Sequence, residues 1–398
     1  MDSNIFSNLL KTLSVKITVR FIWLLALVAF IAPSCIVNKT KTVGKKDAIS
    51  ALRFIGEYSI PHNMQFNNST VGGLSGIDYD PVTKRFYFIS DDRSALQPAR
   101  FYTAQMKISP KGIDSFYFTS VNFLSRPDGT VYPAFKTDHY NTTDPESIRY
   151  FRSQNQLIWS SEGERIVHKK DTVLTDPTVH FMALDGSWKD SLVLPVNLHM
   201  NATQQGPRQN GVLEGIAFDE ENSKLYLSVE EPLLADGPVA EIYDNDAFVR
   251  ILEYNMQTKS NSSQYAYKLD PVAQPPNPPT AYKVNGISEI LGIGHRKLLV
   301  VERSYSTGKL QCTIKIFVAD FNKASDISEN ISLQQHPGFI AAEKKLVLNM
   351  DDLGIYIDNI EGVTFGPLLP NGNKTLLFVS DNNFSSFQKT QLLLFEIK

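Results

Sequence analysis

One pattern dominates the chain and restricts what it can fold into. A glycine- or glutamate-led apolar strand, a short polar turn and a second apolar strand ending in an acidic pair recur five times. The copies are GGLSGIDYDPVTKRFYFISDD from Gly72, DPESIRYFRSQNQLIWSSEGE from Asp144, GVLEGIAFDEENSKLYLSVEE from Gly211, NGISEILGIGHRKLLVVER from Asn285 and NIEGVTFGPLLPNGNKTLLFVSDN from Asn359. Their starts lie roughly 70 residues apart, which suits one blade with long loops per repeat. Hairpins repeated around a closed ring predict an all-β chain, a β-propeller of five or six blades with long inter-strand loops.

The repeat also places chemistry. In an antiparallel hairpin the start of the first strand lies beside the end of the second. This pairs Glu146 with Glu162, Glu214 with Glu230, Glu361 with Asp381, Ser75 with Asp91 and Asp92, and Glu289 with Glu302. If the first strand of each unit is innermost, these carboxylates converge on one mouth of the central channel. Like charges brought together raise one another's pKa, so such a ring calls for cations, interleaved arginines or both. Arg93, Arg165 and Arg303 follow the acidic strand ends, and Arg100 opens the third strand of the first blade.

The runs ARFYTAQMKIS, GIDSFYFTSVNFL, AFVRILEYNM and SQYAYKLD alternate apolar and polar residues and supply outer strands. The stretch Val167 to Leu198 leaves a sixth blade open. The last run, TQLLLFEIK, is expected to pair with a strand around Leu52 to Ile60 and close the ring from both ends. The long polar segments Ser125 to Asp144 and His199 to Asn210 each lead onto the acidic mouth.

The first 35 residues are of another kind. A basic stretch with Lys11, Lys16 and Arg20 precedes FIWLLALVAFIAP, which has the length of a signal-peptide core and is short for a bilayer span. It ends in Ala32-Pro33-Ser34-Cys35, similar to a lipoprotein cleavage site, which predicts a lipid-bearing Cys35, a tether over 36–50 and a propeller over 51–398. The expected location is the cell envelope of a bacterium, anchored by lipid, or else secreted. Cys312 then has no partner and is expected as a buried small hydrophobe. With 39 basic and 42 acidic residues, a net charge of −3 and no basic stripe, nothing points to nucleic acid, and a monomer is expected.

Nucleophile elbow, phosphate-binding loop, dinucleotide fingerprint and histidine or cysteine metal motifs are all missing from the sequence. Oxygen-ligand chemistry is left. Carboxylates spread over several blades suit calcium, which takes six to eight oxygen ligands in loose geometry. The predicted metal set is Asp92, Glu146, Glu162, Glu214, Glu230, Glu302, Glu361 and Asp381. Arg93, Arg100 and Arg303 are the predicted substrate-facing residues, since a guanidinium fork fits phosphate. Each acid–arginine pair equally suits an ion pair that closes blades against one another.

The phrases GGLSGIDYDPVTKRFYFISDD, DPESIRY, LEGIAFDEENSKLYLSVEE, and NIEGVTF with LLFVSDNNF resemble the phytase-like family, "esterase-like activity of phytase", over approximately Ile49 to Lys398. That resemblance implies a β-propeller and hydrolysis of phosphate or other esters, often in exported bacterial proteins. Residues and resemblance together lead to an exported, metal-assisted ester hydrolase, most naturally a phosphoesterase for a small anionic substrate. A non-catalytic ligand- or partner-binding propeller and a lactonase-type hydrolase are the alternatives, since fold alone does not choose among them.

Overall fold

Alternation in each repeated hairpin sets its two faces against two different neighbours, and a ring is the arrangement that covers every face. The computed structural model describes residues 49–398; the leader and Cys35 lie outside the described residues. Five four-stranded antiparallel sheets form the blades. Blade 1 holds Leu74–Asp80, Arg85–Ser90, Arg100–Ser109 and Gly112–Phe123 from inside out. Blade 2 holds Pro145–Phe151, Gln156–Ser161, Thr178–Met182 and Trp188–Ser191. Blade 3 is Leu213–Phe218, Lys224–Val229, Phe248–Asn255 and Ser260–Lys268, and blade 4 is Lys283–Gly292, Lys297–Ser306, Thr313–Asp320 and Glu343–Asn349. Blade 5 is Asn359–Gly366, Thr375–Asp381, Thr390–Ile397 and, outermost, Leu52–Ile60.

The core lies between blades. In blade 1, Phe86 and Phe88 pack toward Leu377 and Leu392 of blade 5, while Tyr87 and Ile89 pack toward Ile148 and Trp159 of blade 2. The same alternation sets Ile158 and Phe181 against Ile216 and Leu227, Ile251 against Ile290 and Val300, and Ile316 against Ile360 and Phe378. Each such side chain, fully buried, contributes ~1.5–3 kcal/mol. The ring closes as expected: Leu52 pairs with Ile397 and Ile60 with Thr390, so blade 5 is built from both ends of the described chain. The blade count is five. The stretch that left a sixth open supplies instead the outer half of blade 2 and a two-stranded ribbon, Glu164–Val167 with Thr172–Thr175.

Every innermost strand carries a bulge at one level. The bulged residues are Ser75, Glu146 with Ser147, Glu214, Ser288 and Glu361. A bulge re-aims a side chain, and here it occurs where the Glu-Gly-Ile signature begins. Two of the three serines tie the ring laterally through carbonyls: Ser75 Oγ donates to the Glu146 carbonyl (2.7 Å) and Ser288 Oγ to that of Ile360 (2.9 Å). Glycine follows the bulge in three blades because the next blade's backbone is close. A Cβ on Gly215 would lie 2.8 Å from Ile290 N, and one on Gly76 2.9 Å from Ile148 N.

Below this level the channel is plugged. Arg149 of blade 2 reaches across it, donating from Nε to Ile216 O (2.6 Å), from Nη1 to Ile77 O (2.5 Å) and from Nη2 to Ile290 O (2.9 Å). Its counter-charge is Glu289 of blade 4, 2.8 Å away, which also accepts from Ser147 Oγ and the Ile216 amide. One guanidinium thus engages the inner strands of blades 1, 3 and 4. It also makes the mouth above it a blind pit.

Candidate functional site

The ladder register shows which residues face the pit. The residue two before each bulge level on the inner strand opposes one side chain at the end of the second strand. In chain order these are Asp91, Glu162 and Glu230, whose amides bond to the carbonyls of Gly73, Asp144 and Val212 just beyond the ladders, and Arg303 and Asp381 within them. With the bulged Glu146, Glu214 and Glu361, and with Asp144 just before blade 2, the pit gathers eight carboxyl groups. Arg303 is the cation among them, donating to Glu230 (2.8 Å), Asn359 (2.7 Å) and Glu361. At the rim Arg93 pairs with Glu164 and Asp144 and lies over the Phe135 ring.

Three sets of carboxylates lie close enough to share an ion: Asp91, Glu361 and Asp381; Asp144, Glu146 and Glu162; and Glu162, Glu214 and Glu230. Burial, reinforced by neighbouring carboxylates, holds Asp91, Glu146, Glu162, Glu214 and Asp381 well above the usual range. Burial also lifts Asp144 to about 6 against the pull of Arg93, and raises Glu230 and Glu361 against that of Arg303. Buried as it is, the Arg303 guanidinium is held charged by Glu361, Glu230 and Glu214.

Of the residues predicted from sequence, Glu146, Glu162, Glu214, Glu230, Glu361, Asp381 and Arg303 come together in the pit, with Arg93 at its rim. Three do not, and each misses by one residue or one strand. Asp92 follows the pit-facing Asp91 and points the other way, where it accepts the amides of Ala95, Leu96 and Gln97 and binds Arg100 (2.7 Å). Arg100 is fully buried, with further bonds to Tyr102 and the Thr70 carbonyl, so it closes a turn and meets no ligand. Glu302 precedes Arg303 and faces blade 3, accepting from Tyr267, Asn285 and Lys344. Its expected partner Glu289 follows the bulged Ser288, and lies in the plug. A single step along a strand reverses the face. Arg165 pins the loop after His199, donating to the carbonyls of Asn201 and Thr203.

A family model described as "Phytase-like: Esterase-like activity of phytase" matches residues 69–384. The chain belongs to this phytase-like family. No curated protein sequence matches it. Solved structures resemble it distantly. Among them are an endo-arabinase from Bacteroides thetaiotaomicron (12% identity, TM-score 0.41, 86% of this chain and 97% of that one) and an endo-1,4-beta-xylanase from the same organism (8%, 0.45, 81% and 90%). A periplasmic gluconolactonase from Pseudomonas aeruginosa is another (11%, 0.36, 83% and 86%).

Does this phytase-like pit suit a cation? Glu361 Oε2 and Asp381 Oδ2 are buried, belong to one carboxylate set and have no hydrogen-bond partner. An unpaired buried carboxylate oxygen is costly, and a hard cation is the partner that satisfies several at once. The donor set is entirely oxygen, and its eight carboxyls outnumber Arg303 and, at the rim, Arg93. These residues fit calcium.

Asp91 and Asp144 are missing from the predicted metal set: the sequence places Asp91 at the mouth beside Ser75 but takes its neighbour Asp92 as the ligand, and Asp144 lies two residues before Glu146. The rim that holds Asp91 is unusually constrained. Asn383 and Phe384 both take left-handed backbone angles (φ 46° and 53°), rare for a bulky residue, and Asn382 Oδ1 accepts the amides of Gly73 and Phe384. Gly73, itself at φ 59°, passes so close that a Cβ there would meet Asp91 Oδ1 at 2.0 Å. Gly73→Ala is expected to cost ~2 kcal/mol or more in a denaturant titration, from the left-handed backbone and the collision together. Because it displaces Asp91, it should also blunt any stabilisation by calcium. A midpoint within error of the unaltered protein would contradict this account of the rim.

Proposed function

We propose that this protein is a metal-assisted ester hydrolase, most naturally a phosphoesterase, acting at the acidic pit with calcium bound there. The observation that carries this is the pair of unpartnered buried oxygens, Glu361 Oε2 and Asp381 Oδ2, within a cluster of eight carboxyls met by Arg303 inside and Arg93 at the rim. Bound calcium supplies charge for the phosphoryl oxygens and lowers the pKa of water.

The chain's own residues divide the remaining work. Glu361, Asp381 and Asp91 form one oxygen cradle, and Glu162 belongs to both of the others. Glu146 and Glu214 accept no hydrogen bond from described residues, which leaves their carboxylates free for an ion or substrate. Arg303 and Arg93 each keep a buried Nε–H without a hydrogen-bond partner, that of Arg93 facing Asp144 Oδ2 at 3.5 Å, and supply the positive charge that an anionic substrate would meet. Asp144, beside Arg93 at the rim, is the carboxyl placed to pass a proton to a leaving alkoxide. The plug keeps water from entering through the far end of the channel, which strengthens every charge interaction above it.

The test is hydrolysis of a generic phosphomonoester and of an aryl acetate by purified protein, with calcium and with chelator. Calcium-dependent turnover of the phosphoester is expected, falling about a hundredfold in Glu214→Gln, which keeps the shape and loses the charge. Acetate hydrolysis alone would reassign the ester class. Turnover unmoved by chelator and by Glu214→Gln would overturn the site, and inactivity on both esters would favour a binding role.

A further inference from the structure

A second cavity of about 860 Å³ opens beside the pit between blades 4 and 5, and the two share Arg303 and Asn359 as a common wall. It is large enough for a sizeable organic group. Its character is the reverse of the pit's. Tyr282, Tyr305, Tyr356 and Phe387 line it, with Lys309 and Lys389 at its edge. Asp358 also lines it, but is fully occupied: Oδ2 accepts from the Tyr356 hydroxyl (3.0 Å) and the Lys389 amide (2.7 Å), and Oδ1 from the Asn359 amide (2.9 Å) and Gln388 (3.2 Å).

Of these aromatic residues, Tyr356 is held by its hydroxyl bond to Asp358, while Tyr282 and Phe387 project outward. Phe387 is 92% exposed and Tyr282 63% exposed, and both stand on the lining of this one cavity. An exposed aromatic cluster bordering a charged site marks a place where something apolar is bound. Flat walls select a flat occupant: the Tyr282 and Tyr305 rings stand 6.3 Å apart at 40°, an arrangement that presents ring faces and edges for stacking. Lys309 and Lys389 add positive charge to the lining, and Arg303, paired with Glu230 and Glu361, forms the wall shared with the pit, which together suit an occupant with an anionic end.

We infer that this cavity receives the alcohol portion of the substrate and that this portion is an aromatic ring, so the enzyme acts on phosphoesters of ring-bearing alcohols, with the phosphoryl group at Arg303. This rests on the hydrolase assignment of the pit. The loop over 382–389 couples the two regions: Asn382 and Phe384 brace the pit rim against Gly73, while Phe387 and Lys389 line the cavity.

Equilibrium binding of non-hydrolysable probes in calcium tests the inference without depending on turnover. Naphthylmethylphosphonate should bind about tenfold or more tighter than methylphosphonate, because its ring leaves water for an apolar cavity. The double variant Tyr282→Ala/Phe387→Ala should abolish that advantage and leave methylphosphonate affinity unchanged; both positions are exposed, and an unaltered melting temperature verifies the fold. Equal affinities for the two phosphonates, or a ring advantage that survives the variant, would overturn the inference. Naphthylmethanol, which has no anion, separates the two assignments. If it binds and the double variant loses it while neither phosphonate binds, the ring cavity stands and the reading of the pit fails. Failure of all three probes overturns both.

Discussion

Stripped of divalent ions, the protein should lose stability as pH rises from about 5 to 8, and calcium should restore it. The sign follows from the pit. Its carboxyls have raised pKa values in the folded state, so between the unfolded and folded values the folded chain binds more protons than the unfolded one. Stability contributed by those protons is present at low pH and is lost as pH climbs through the folded values. Asp144 alone, lifted from 3.8 to about 6, represents on the order of 3 kcal/mol at ~1.4 kcal/mol per unit. The other carboxyls act in the same direction but share one field, so their effects do not add. Calcium replaces the lost protons as counter-charge, and at a hundredfold excess over its Kd it stabilises by about 2.7 kcal/mol. Thermal melts across this range, in chelator and in millimolar calcium, make the comparison. Superimposable curves under the two conditions would refute a cation site in the pit.

Replacing Arg149 should destabilise the protein by ~3–5 kcal/mol, because it leaves three buried carbonyls without their donor and Glu289, which burial lifts to about 8, without its cation. Arg149→Met keeps most of the volume and the stem but gives up the Glu289 ion pair and the bonds to three carbonyls from blades 1, 3 and 4. Adding Glu289→Leu removes the stranded carboxyl, and the double variant should recover part of the loss. Urea midpoints measure both. The plug lies below the pit and contributes none of its carboxylates, so calcium should still stabilise the single variant. A loss below about 1 kcal/mol would show that the plug is dispensable to the ring.

Blades, their order and the closing strand pair were legible because each depends on alternation and spacing, which sequence displays directly. Side-chain direction at strand ends was harder. Adjacent acids such as Asp91 and Asp92 are equivalent by composition, and only the bulge at Ser75 decides which of them turns inward. The same holds for Glu289 beside Ser288 and Glu302 beside Arg303: the acidic motif was visible, and its phase was not. In blade 4 the pit position is filled by Arg303, so following the acids through the repeat passed over the residue that occupies their place. The lateral cavity gave no sequence signal at all, since Tyr282, Tyr356 and Phe387 come from separate loops and meet only when blades 4 and 5 are side by side.

The pairing of Leu52–Ile60 with Thr390–Ile397 has a consequence for biosynthesis. The strand Leu52–Ile60 waits for Thr390–Ile397. Until that later strand is synthesised, four blades can assemble in order, but blade 5 lacks its third strand and Leu52–Ile60 has no edge to join. The growing chain therefore exposes two unpaired strand edges, the kind that recruits other chains. Closing a loop of this length is slow in a sheet protein dominated by distant pairings. Deleting Thr390–Ile397 leaves Leu52–Ile60 without its partner, so these two distant strands are a single unit of quality control.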